Sequence, residues 1–401
     1  MRSRELHALQ YMLFYASLCA ALYVFVLLPY LWQSSKPIRP KESSTESTEA
    51  SFPLATTIND KNRTQNFTPT EPRRSLLIFG QDRTGTTFIS TMFAKDPQTF
   101  TVYEPLWITK RWRSPEDRFN CSHCELDVVS SIISCNFSRS RASKKFLTFV
   151  HKLWTGALPV NIFKTKKFCN IEVESNKKEN CSQLLRNAAF VDNVCKEKFK
   201  HSVVKVSPVR LPQGELANLV PQVILENQDI DVRILHLVRD PRGNINSRIN
   251  INWMEDYPSP SLATATRELC NSTWGNLKHA EKTLKQLNLT HRYKLVLYKQ
   301  IAEDPLDTAK DIYRFAGFEM PSEVEKWITE TTEPSKDKLE EALKNPYSTV
   351  RKASGNADKW QNDEFFERNR VIEKECKTLM DLLGLKEVPE PERVTDRKSN
   401  K

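Results

Sequence analysis

Residues 76–93 constrain the fold more than any other stretch. Leu76-Leu77-Ile78-Phe79 is a continuous apolar run of strand length, and Phe88, Ile89, Met92 and Phe93 follow at helical spacing. A strand apolar at every position is covered on both faces, which calls for helices above and below its sheet. Between strand and helix, Gly80 and Gly85 stand at the G-x-x-x-x-G spacing of a phosphate-binding loop, but the lysine that should follow is replaced by Thr86. Further runs at Phe100–Tyr103, Val203–Val206, Ile234–Val238 and Lys294–Tyr298 read as strands, and Asp304–Phe315 reads as a helix. Strands alternating with helices predict a three-layer α/β domain around a mostly parallel sheet. Ligands of such sheets bind at the carboxyl ends of the strands, where this loop lies.

The chain has 401 residues and 39% hydrophobic content, enough for one large core or two modest ones. Its net charge of +10 points to anionic partners. From Leu6 to Ser35 there is no Lys, Arg, Asp or Glu, and Arg2 and Arg4 precede the run. That pattern reads as an uncleaved signal anchor over 9–32, with a cytosolic tail at 1–8 and the rest of the chain lumenal. The alternative is a cleaved signal peptide ending near Cys19-Ala20-Ala21, but the apolar run continues past that point. Residues 33–74 are rich in Ser, Thr, Glu, Pro, Lys and Asn and read as a flexible stem. The lumenal domain is expected over 75–385, followed by a charged, disordered tail at 386–401.

A lumenal domain fits the sequons at Asn62, Asn66, Asn120, Asn136, Asn180, Asn271 and Asn288. It also fits eight cysteines outside the anchor, an even number that suggests disulfides of open connectivity. Cys121-Ser-His-Cys124 has no second C-x-x-C or H-x-x-x-H to complete a zinc site, which leaves a disulfide or a buried thiol.

The loop offers backbone N–H groups and a helix N-terminus to an anion, with hydroxyls from Thr86 and Thr87. Its cation is Arg83, inside the loop, whose planar fork suits phosphate or sulfate oxygens. No acidic residue ends an apolar strand in the manner of a dedicated Mg²⁺ site. A second segment, Arg233 to Arg248, places Arg239 at the end of a buried strand, turns at Pro241 and Gly243, and puts Ser247 in a following helix. Arg239 and Ser247 are candidates for one further anion, unless these arginines merely pair with Asp240.

Together the two segments resemble the two cofactor signatures of sulfotransferases that use 3′-phosphoadenosine 5′-phosphosulfate (PAPS). Arg83-Thr84-Gly85-Thr86-Thr87-Phe88 resembles the 5′-phosphosulfate loop of the Golgi carbohydrate sulfotransferases, and Leu237 to Arg248 resembles their 3′-phosphate segment. More narrowly, the chain resembles the galactose/N-acetylgalactosamine/N-acetylglucosamine 6-O-sulfotransferase family. Val102-Tyr-Glu-Pro-Leu-Trp107 is similar to its F-x-L-F-E-P-L-W stretch, and Tyr347 to Trp360 to its late basic loop. The loop differs from the family's usual R-[ST]-G-S-S-F by two threonines, and Asp82 adds a negative charge that either points away or pairs with an arginine. The resemblance implies PAPS as co-substrate with no metal, a single-pass type II Golgi membrane protein, and a glycan or glycosaminoglycan acceptor. Nucleic acid is not an expected partner, and a homo-oligomer is allowed.

Arg83, the loop amides and the two threonines are placed to stabilise charge on the leaving phosphate oxygen. Glu104, at the end of a strand before the rigid Pro105, is the candidate general base, a role the resemblance also implies. Pairing with Arg83 or capping a helix is its structural alternative. Arg351 and Lys352 either close over the cofactor, as the family's late loop implies, or form a solvated basic loop. Trp107, Trp112 and Trp360 either stack on sugar or adenine or belong to the core. The Arg-Thr-Gly start favours galactose or N-acetylgalactosamine over N-acetylglucosamine as acceptor. Two other classes remain: a nucleotide kinase, opposed by the missing lysine, and a non-catalytic glycan-binding protein, opposed by retention of Arg83, Glu104, Arg239 and Ser247.

Overall fold

A computed structural model describes residues 72–109, 123–152, 162–169, 183–211, 214–345, 347–353, 355 and 357–390. The expected cytosolic tail and anchor and residues 33–71 of the expected stem lie outside the described residues, as do Trp112, Cys121 and the sequons at Asn62, Asn66, Asn120 and Asn180; Arg74, expected to end the stem, is the first residue of the first strand. Among the described residues no helix is long and apolar enough to cross a membrane.

Five strands form one sheet: β1 (Arg74–Gly80), β2 (Thr99–Tyr103), β3 (His201–Val206), β4 (Asp231–Val238) and β5 (Tyr293–Leu297). Their order is β2-β3-β1-β4-β5 and every pairing is parallel. The expected strands are all present, and β3 and β4 begin two and three residues earlier than the apolar runs indicate. At the centre, Leu77 of β1 stands opposite Val204 of β3 and Ile234 of β4. The chain runs to one side of β1 for β2 and β3 and to the other for β4 and β5. The loop after β1 is therefore the topological switch point, where open α/β sheets bind ligands.

Alternation along β1 explains both cores. Leu77 and Phe79 face a cluster with helix α2 (Cys124–Ser134), contributing Val129, Ile132 and Ile133. Leu76 and Ile78 face the other side, against Ile89, Met92 and Phe93 of helix α1 (Thr86–Lys95). Successive strand side chains point to opposite faces, so a strand between two helical layers must be apolar throughout. A third cluster joins helix α3 (Pro241–Ile249), the long helix α4 (Pro260–Gln286) and helix α5 (Phe366–Leu383). There a disulfide links Cys270 to Cys376, and another links Cys135 to Cys195. Cys124 is also disulfide-bonded.

Candidate active site

The loop from β1 into α1 is shaped by what surrounds it. A Cβ on Gly80 would stand 2.6 Å from the Leu237 carbonyl oxygen of β4, so no other residue fits there without moving the sheet. Gly85 takes φ +90° at the N-cap of α1. Arg83 and Glu104, the two residues named as catalytic from sequence, both adopt positive φ, at 71° and 49°. That conformation costs a non-glycine residue about 1–2 kcal/mol and is held only where surrounding contacts over-determine it.

Those contacts tie the loop and the Arg233–Arg248 segment together. Arg83 Nε donates to Ser247 Oγ at 3.0 Å, and Arg239 Nη1 donates to the Arg83 carbonyl at 3.0 Å. The Asp82 carbonyl accepts from Asn244 Nδ2 and Arg248 Nη2, each at 3.1 Å. Ser247 and Asn244 lie on α3, so helix and loop are locked together at the carboxyl ends of β1 and β4. The Arg239 guanidinium lies 4.1 Å from the Tyr298 ring centroid, and its Nε is buried with no hydrogen-bond partner. Asp240 takes Arg242 instead, at 2.7 Å, so the simple salt-bridge reading holds for Arg242 and not for Arg239.

A cleft of about 820 Å³ opens above the loop and is lined by Arg83, Gly85, Thr86, Thr87 and Phe88, with Arg239 and Ser247 from the second segment and Arg351 from the late loop. Burial pulls Arg239, Arg248 and Arg351 below the usual arginine range, and the positive charge of Arg83 pushes each further in that direction. Like charges gathered at a strand end, one with an unmatched buried donor, suit a polyanionic ligand. Thr87 Oγ1 is 2.9 Å from the Tyr103 hydroxyl. The Thr84 hydroxyl instead donates to the Gln81 carbonyl at 2.7 Å and closes the loop on itself. Neither Thr84 nor Lys352 lines the cleft, and the Lys352 side chain is exposed.

Glu104 is not among the residues that line the cleft. Its Oε1 forms an ion pair with Lys205, a lysine only 1% exposed on β3, and its Oε2 lies 3.8 Å from Arg210 Nε. The same ammonium is 3.7 Å from Asp82 Oδ1, and Asp82 is one of the residues lining the cleft. Asp82 therefore pairs with a lysine rather than an arginine. Burial alone would depress the Lys205 ammonium, but Glu104, then Tyr103 and Asp82, outweigh it and hold the group above the usual lysine value. Lys205 was not among the expected site residues, although a lysine inside the run Val203–Val206 is a visible signal of a buried charge with a partner. Trp360 is buried with the Arg242 guanidinium 4.0 Å from its ring, and Trp107 packs against the core, so neither lines the cleft.

The chain belongs to the sulfotransferase domain family, which matches residues 73–384. Among its relatives is carbohydrate sulfotransferase 3 of Tetronarce californica, 28% identical over 353 residues that cover 82% of this chain and 76% of that protein. Carbohydrate sulfotransferase 6 of Homo sapiens is 26% identical over 79% of this chain and 82% of its own. A solved sulfotransferase domain from the curacin biosynthetic pathway aligns with 80% of this chain and 99% of its own length at 13% identity and a TM-score of 0.42.

Proposed function

We propose that this chain transfers a sulfuryl group from PAPS to a sugar hydroxyl, the 6-OH of galactose or N-acetylgalactosamine in a glycan or glycosaminoglycan. N-acetylglucosamine is the alternative acceptor. The observation that carries this reading is the convergence of Arg83, Ser247 and Arg239, from two separate segments, on one arginine-rich cleft at the switch point. The kinship with carbohydrate sulfotransferases supports a sugar acceptor.

When bound, the donor supplies an activated sulfuryl group on a phosphate leaving group. Arg83, the loop amides at Gly85–Thr87 and the Thr86 and Thr87 hydroxyls stabilise the negative charge that grows on the leaving oxygen. Arg239 and Ser247 hold the donor's 3′-phosphate, with Arg351 and Lys352 adding positive charge from the late loop. No step is assigned to a metal. Glu104 accepts the proton of the attacking hydroxyl, held in place by Lys205 and Arg210. Asp82 is the second reading for that role, favoured by its position in the cleft wall and by sharing Lys205 with Glu104.

The apolar run at 9–32 and the sequons support a Golgi membrane protein of type II topology, with the sulfotransferase domain lumenal. The reading is tested by incubating the full-length chain with labelled PAPS and oligosaccharides bearing galactose, N-acetylgalactosamine or N-acetylglucosamine, then locating the label in the product. Label at C6 of galactose or N-acetylgalactosamine is the expected result. Glycan binding with neither donor binding nor transfer would leave the non-catalytic glycan-binding protein in its place.

A further inference from the structure

The cleft mouth carries two large aromatic side chains that the core does not cover. Trp253 is 47% exposed and Tyr347 is 56% exposed, and their rings stand 6.2 Å apart, inclined at 44°. They come from segments far apart in the chain. Trp253 follows the end of α3, where Asn252 takes φ 58° and the Trp253 N–H donates to the Arg248 carbonyl at 2.9 Å. Tyr347 belongs to the late loop, where its N–H donates to Asn345 Oδ1 at 2.9 Å. Both side chains line the cleft. Burying such rings contributes more than burying any other side chains, so two of them left open at one spot mark a surface that something else covers.

The surroundings indicate what covers it. The Arg83 guanidinium lies 6.0 Å from the Tyr347 ring centroid, so the pair adjoins the group assigned to the reacting end of the donor. Beside its arginines the cleft wall also carries amides and a hydroxyl, from Asn246, Asn250, Asn345 and Ser348. An aromatic face beside amides and hydroxyls matches a pyranose, which has an apolar C–H face and a rim of hydroxyls. The donor's phosphates are already assigned to Arg83 and Arg239, which leaves the open aromatic faces for the acceptor.

We infer that Trp253 and Tyr347 form a stacking platform for one pyranose ring of the acceptor, beside the ring that receives the sulfuryl group. This rests on the proposed sugar-directed activity and adds a subsite to it. The open position of both rings leaves room for the glycan chain to continue out of the cleft.

The test uses the full-length protein, the same oligosaccharide panel, and the variants Trp253→Ala, Trp253→Phe and Tyr347→Ala. The steady-state KM for the acceptor found in the panel is compared with the affinity for 3′-phosphoadenosine 5′-phosphate by calorimetry. Losing one stacked ring should raise the acceptor KM by about three- to tenfold, with kcat at saturation and nucleotide affinity little changed. Trp253→Phe should recover most of the loss, because it keeps an aromatic face. Unchanged KM in an active Trp253→Ala protein would overturn the platform while leaving the sulfotransferase reading intact. Weakened nucleotide binding with unchanged acceptor KM would reassign the rings to adenine and also overturn it. Failure of the wild-type protein to bind or sulfate any member of the panel would overturn both.

Discussion

Lys205 pairs with Glu104 inside the sheet's carboxyl edge, and the same ammonium reaches Asp82 of the loop. One buried cation thus joins the two acidic residues closest to the proposed chemistry. The relationship poses a sharp question about which carboxylate takes the proton. Glu104→Gln preserves shape, and Asp82→Asn does the same in the cleft wall. With Glu104 as the base, the first variant should lose about 10²–10⁴-fold in kcat with nearly unchanged donor affinity. The second should lose far less. The reverse pattern in rate assays on folded protein would transfer the role to Asp82.

Removing the shared cation should act differently. Lys205→Met leaves Glu104 buried beside Arg210 alone, and breaking a buried pair on one side costs about 3–5 kcal/mol. A large drop in the urea midpoint is expected, together with a fall in kcat. A variant as stable as wild type would show that Lys205 is not anchoring Glu104.

The 3′-phosphate assignment depends on Arg239, whose Nε has no hydrogen-bond partner among the described residues. Arg239→Ala should weaken 3′-phosphoadenosine 5′-phosphate by the worth of a charge-assisted contact, about 1.5–3 kcal/mol, or roughly 10- to 150-fold. Calorimetry on folded protein is the check, and unchanged affinity would remove Arg239 from the site.

Acid sensitivity follows from two buried imidazoles. Burial pushes His201 and His236 down to about 3, against an ordinary value of 6.5. Between those values the unfolded chain takes up protons that the folded chain refuses. Stability is therefore fully present above pH 6.5 and falls as pH drops toward 3, by up to about 1.4 kcal/mol per pH unit per histidine. His201 stacks on Phe318 with ring centroids 4.0 Å apart. His201→Phe should keep the stacking and flatten the slope, as read from denaturant midpoints at several pH values. An unchanged slope would exclude His201 as a source.

Much of this architecture was legible from the sequence because β1 and β4 are buried on both faces, and such strands can only be written as apolar runs. The loop was legible because Gly80 answers to a carbonyl on the neighbouring strand, a constraint visible as glycine spacing. β3 was harder: its first turn toward the sheet uses His201 and Ser202, and its charge, Lys205, has partners 101 and 123 residues away in the chain, at Glu104 and Asp82. Local pattern carries no information about such distant pairing. Trp253 and Tyr347 escaped notice for the same reason, since neither is informative until the fold sets their rings side by side.

The central claim is that Arg83 stabilises charge leaving a sulfuryl donor in this cleft. Its most direct test is the rate of labelled sulfate transfer from PAPS to the preferred sugar by wild-type and Arg83→Ala protein, both saturated with donor and acceptor. Loss of a single charge-stabilising group of this kind costs about 10²–10³-fold in kcat. The account predicts measurable turnover by wild type and a loss of that size in the variant. Equal rates in the two proteins would contradict it.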